Sequence, residues 1–146
     1  MKKSLLRVQL PLCLLALAVS SPLMAQARRV SPDKLNGYWI LLNRSIDVDV
    51  PNSGKNIYKP GCVAVTFSIG SDGIPRNIKA VKTVPASDLT PVAVNAVKHF
   101  TYGPSLTNRA GEPVDTYYVV PFNGPSDKAG QQALMAPCQL PGYDQN

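Results

Sequence analysis

A single imidazole, His99, serves the whole chain, and that shortage removes much catalytic chemistry at once. Nucleophilic catalysis needs a Ser or Cys beside a positioned base. The one histidine falls at the end of an apolar helical stripe, where capping and the helix dipole account for it. The sequence also lacks zinc-ligand spacing, a CxxC pair, a phosphate-cradling glycine loop and a dinucleotide fingerprint. Asp47, Asp49, Asp72, Asp88, Glu112 and Asp115 are scattered over turns and strand faces, with no pair committed to acid/base work. No basic stretch is interleaved with aromatics, which excludes a nucleic-acid footprint. Beyond residue 27 no run approaches the about 20 apolar residues of a membrane span. Enzyme, cofactor, metal and small-molecule substrate readings all lose support, and protein contacts remain.

What is present begins with a leader. Lys2, Lys3 and Arg7 precede a short apolar core from Leu10 to Val19, and Ala25-Gln26-Ala27 supplies small residues before a cleavage point. Cleavage after Ala27 is the expectation. The rival is an uncleaved membrane anchor, which Arg7, Gln9 and Pro11 argue against. Cleavage would remove three of the fifteen Lys/Arg and none of the nine Asp/Glu, so the formal charge falls from +6 to +3. The remaining 119 residues suffice for one domain with a modest core. Cys62 and Cys138 are the two cysteines left, and an exported chain favours their pairing over two free thiols.

Residues 28–60 read as a lead-in. Ser31-Pro32 fits a helix start, and Leu35, Tyr38, Trp39 and Leu42 recur at helical spacing, which predicts a short helix over one end of a sheet. Trp39 is expected as a packing anchor. Asp47 to Pro60 reads as loop, with Asp47 and Asp49 on a solvated face. From Gly61 the signals sharpen. Cys62-Val-Ala-Val-Thr-Phe-Ser-Ile69 alternates with period two, Asp72-Gly73 marks a tight turn, and Ile78 to Val84 resumes as a second strand. Thr90 is expected to cap a helix with Pro91 in its first turn, and Leu89, Val92, Ala93, Ala96, Val97 and Phe100 form one stripe. Residues 114–120 make a third strand, bounded by Pro121. An irregular tail, 124–146, is expected to carry one helical turn near 128–135.

Connection rules then give the fold: α+β, two layers, with one main amphipathic helix on a three-stranded antiparallel sheet. Counting strands as they occur, the order is 2-1-3. The third strand is thus an open border where an extended peptide can add by backbone pairing, using Asp115, Thr116, Tyr117, Tyr118, Val119 and Val120. Neighbouring tyrosines on a strand face opposite ways, so one of Tyr117 and Tyr118 packs under the helix and the other looks outward.

At these residues the chain resembles the C-terminal domain of the TonB family of energy transducers. The pattern starts with a glycine and an alternating strand (Gly61-Cys-Val-Ala-Val-Thr-Phe), then an Asp-Gly turn (Asp72-Gly73-Ile74-Pro75) and a second strand. After a capped helix comes aromatic-x-aromatic-x-Pro, matched by Phe100-Thr-Tyr102-Gly-Pro104, and Gly111-Glu-Pro113-Val114 opens the last strand. The resemblance covers residues 61–123. It implies a periplasmic domain that pairs a strand with a short N-terminal box of outer-membrane transporters. The transducers also carry an anchor with a functional Ser/His pair and a long proline-rich spacer, which this chain lacks, and Gly124 stands where a Phe is usual. A free adaptor or stand-alone relative is therefore expected. The competing reading is a small structural envelope protein, or a homodimer formed by pairing the same borders, with no transport role.

Overall fold

The computed structural model describes residues 26–43 and 45–143, so the leader expected over residues 1–27 lies almost wholly outside the described residues. The central element is a hairpin of β3 (Gly61–Ile69) and β4 (Pro75–Val84). Its turn needs glycine at position 73 for two reasons. Gly73 has φ of 77°, and a Cβ there would collide with the Tyr102 carbonyl. Asp72 closes the turn by accepting from the Ile74 amide at 3.1 Å and from both Arg76 guanidinium nitrogens. Those contacts, Arg76 first, hold the Asp72 carboxyl well below the usual carboxylate range.

Helix α1 (Thr90–Lys98) returns the chain to β6 (Val114–Phe122), which lies antiparallel against the other side of β3. The order β4-β3-β6 is the one expected for three strands, but the sheet is larger. A two-residue strand, β1 (Arg28–Arg29), adds in parallel outside β6, giving β1-β6-β3-β4. A separate ribbon pairs β2 (Trp39–Leu41) with β5 (Tyr102–Pro104).

That ribbon corrects the helix expected in the lead-in. Only a 3-10 turn, Leu35–Gly37, forms there. Gly37 weakens any continuation, and Trp39-Ile-Leu is better suited to a strand once a partner exists. The Leu42 amide donates to the Thr101 carbonyl at 2.8 Å, and Leu42 itself is exposed rather than part of a buried stripe. Trp39 is fully buried, with Nε1 donating to the Glu112 carbonyl at 2.9 Å.

The start of α1 also differs from expectation. Thr90 is the first helical residue and Leu89 holds the cap position without a side-chain bond. Ser87 does the local work instead: its hydroxyl accepts from the Leu89 amide at 3.1 Å, and its carbonyl accepts from the Thr90 hydroxyl at 3.0 Å. The apolar stripe lands as its period requires. Ala93, Val97 and Phe100 join Val63, Val65, Phe67, Ile69 and Val114 in the main core. Leu89 and Val92 form a smaller cluster with Ile57.

The tail is not an irregular appendage. It forms α2 (Lys128–Met135), capped by Asp127, whose carboxylate accepts from the Gly130 amide at 2.7 Å. A 3-10 turn, Ala136–Cys138, follows. Cys62 and Cys138 are joined in a disulfide across 76 residues. The tail thereby covers the face of the sheet opposite α1, where Cys62, Ala64, Tyr117, Val119 and Cys138 are buried with Met135, Leu140 and Tyr143 against them.

Candidate docking edge

The properties of β6 follow from its register. Val114, Thr116, Tyr118 and Val120 lie opposite Ile69, Phe67, Val65 and Val63. Amide and carbonyl of one strand residue point to the same side, and successive residues alternate. The Asp115 carbonyl accepts from the Val30 amide at 2.9 Å, on the side away from β3. Asp115, Tyr117, Val119 and Pro121 therefore present their main chain outward, whereas Thr116, Tyr118 and Val120 belong to the β3 ladder. Pro121 is tolerated because its missing N–H falls on the outer side.

Of the six residues expected to supply main-chain partners, three thus face outward. One of those is already engaged, since Arg28 and Arg29 pair with Val114 and Asp115. The border is not entirely open, and the lead-in covers its beginning. The covering ladder ends abruptly. Val30 gives its carbonyl to the buried Thr116 hydroxyl at 2.7 Å, where a parallel ladder would continue to the Tyr117 amide. Among the described residues no backbone hydrogen bond reaches the outward side of Tyr117 or Val119.

Side chains divide the border between two faces. Tyr117 lies beneath the tail, 4% exposed, with its hydroxyl donating to Gln139 Oε1 at 2.8 Å and its ring edge-on to Tyr143 at 4.8 Å. Tyr118 lies on the α1 face, edge-on to Phe100 at 5.1 Å and 37% exposed. Burial raises the Tyr102 phenol well above its ordinary value, and nearby Tyr118 adds to that shift. Asp115 accepts from the Ser68 hydroxyl at 2.6 Å. His99 caps α1 through an Nδ1 contact with the Asn95 carbonyl at 2.8 Å, on an exposed surface.

The far border of the sheet is built differently. β4 carries two register shifts against β3, one of them where Asn77 adopts φ of 54°. Arg76, Lys79 and Lys82 are exposed along it. Bulges and cations are the usual devices that stop a strand edge from accepting another chain. β6 has neither beyond Asp115.

Residues 51–123, which hold β3, β4, α1 and β6, match a known family model, the Gram-negative bacterial TonB protein C-terminal. The chain belongs to the TonB C-terminal family. No curated protein matches it. The match starts at Pro51 and so includes the loop that feeds β3, whose Ile57 and Lys59 carbonyls accept from the Asn123 side chain. Membership makes this a periplasmic TonB-like domain linked to transport, and such domains are energy-transducing or binding modules rather than enzymes. Among the described residues no helix is long and apolar enough to cross a membrane, and no cluster of His, Cys, Asp or Glu could hold a metal ion.

Proposed function

We propose that this TonB-like domain docks an extended segment of an outer-membrane transporter along the outer side of β6. The observation that carries the reading is the pair of outward main-chain positions, Tyr117 and Val119, that none of the described backbone engages. A strand added there gains main-chain hydrogen bonds, and the partly exposed Tyr118 ring, backed by buried Phe100, offers aromatic surface beside it. The bulged, cationic β4 border gives an incoming strand no comparable site. Cleavage of the leader after Ala27 is part of the proposal and would place Arg28 at the new N-terminus.

The test is calorimetric titration of the chain with a synthetic peptide carrying a transporter's N-terminal box. Val119→Pro removes an outward N–H and lowers affinity at least tenfold while circular dichroism stays unchanged. Equal binding by the variant would refute the site. A concentration-dependent dimer that ignores the peptide and is lost in Val119→Pro would instead establish pairing between copies.

A further inference from the structure

Residues 28–30 occupy the beginning of the same border. Their grip is uneven. Val30 is 4% exposed and belongs to the main core. Arg28 and Arg29 are exposed: Arg28 reaches Glu112 at 3.6 Å and the Tyr38 hydroxyl at 3.2 Å, and lies over the Tyr38 ring at 5.6 Å. Arg29 lies over the Tyr143 ring at 5.8 Å. Half-exposed ion pairs contribute little, and a two-residue strand at a sheet edge has few bonds to break before it opens.

We propose that residues 28–30 form a displaceable strap that competes with the docked partner for β6, a regulation that rests on the docking reading above. With the strap seated, the border offers both an N–H and a carbonyl only at Tyr117 and Val119 among the described residues, because Pro121 adds a carbonyl but no N–H and Asp115 is taken. Departure of the strap adds Asp115, the Thr116 hydroxyl and the space that Val30 fills. A partner that takes the whole border has to reproduce what it removes. It needs an amide for the Asp115 carbonyl, an apolar side chain in place of Val30, and a cation two residues earlier to face Glu112. Arg28 and Val30 share one face of the strap, which is why the cation and the apolar group are separated by one residue. The partner segment is therefore extended, with a cation-x-apolar pattern read in the strap's own direction.

The probe is a fluorescent peptide spanning residues 26–34, titrated against the full chain, against Val30→Pro, which loses the amide donated to Asp115, and against Arg28→Ala/Arg29→Ala, which leaves the core intact. The transporter-box peptide is run in parallel. Expected is binding to Val30→Pro at least tenfold tighter than to the unaltered chain, with a few-fold gain in the double-alanine variant, for both peptides. Equal affinity of each peptide for all three proteins overturns the strap, and box-peptide binding in that same result leaves the docking reading standing. Gains for the strap peptide alone, with no box-peptide binding anywhere, support the strap and sink the transporter reading. Silence of both peptides removes both.

Discussion

Tyr118 and Val119 are adjacent and both lie on the proposed border, yet a proline has opposite meanings at the two. The Tyr118 amide points into the sheet toward Val65, so Tyr118→Pro breaks the β3–β6 ladder and leaves a buried acceptor without its donor. The expected cost is about 1–3 kcal/mol, visible as a lower urea midpoint whether or not a peptide is present. Val119→Pro should keep most of the fold and remove the proposed docking. The same residue-scale logic applies at the hairpin turn. Asp72 is exposed, but its pKa is depressed by Arg76 and the Ile74 amide. A depressed carboxylate stabilises the fold fully above its unfolded value, near 4, and that contribution fades as pH falls through the lower native value. Asp72→Asn should therefore reduce stability at pH 7 and flatten the acid limb of a stability–pH curve. Unchanged curves would show that the turn draws nothing from this contact.

At the scale of elements, the two faces of the sheet are held by different means. α1 is fixed by apolar burial, and its position was readable because Leu89, Val92, Ala93, Ala96, Val97 and Phe100 keep a helical period. The β3–β4 hairpin was readable because alternation and Asp72-Gly73 are local signals. The tail was readable only in part: a helical turn near 128–135 and the Cys62–Cys138 pairing were expected and are present, but α2 buries no residue completely, so no local pattern reports which face of the sheet it covers. Chain entropy assigns a loop between cysteines 76 residues apart about 4 kcal/mol. Cys62→Ala/Cys138→Ala should lower stability by about 2–4 kcal/mol in denaturant titration and make the tail the first site of proteolysis. Because Tyr143 contacts both Tyr117 and Arg29, the same variant should speed exchange of the Val30 amide. The lead-in misled for the opposite reason. Leu35, Tyr38, Trp39 and Leu42 have helical spacing, but Trp39–Leu41 pairs with a strand some 60 residues away, and no local pattern reports a distant partner.

For the whole molecule, the described residues pack elements on both faces of the main sheet and place bulges and cations along β4, which is why docking is proposed on β6. The sequence led to that proposal through the order of its strands and its family pattern. It did not indicate that residues 28–30 fold back on β6, since a two-residue strand has no period and its bonds to Asp115 and Thr116 span more than 80 residues. The measurement that tests this account most directly is residue-resolved amide hydrogen exchange of the full chain, with and without saturating transporter-box peptide. The Tyr117 and Val119 amides should exchange freely in the unliganded chain and become protected on binding, while Tyr118 is protected throughout. Protection of Tyr117 and Val119 before any peptide is added, or new protection confined to β4 or α1, would contradict it.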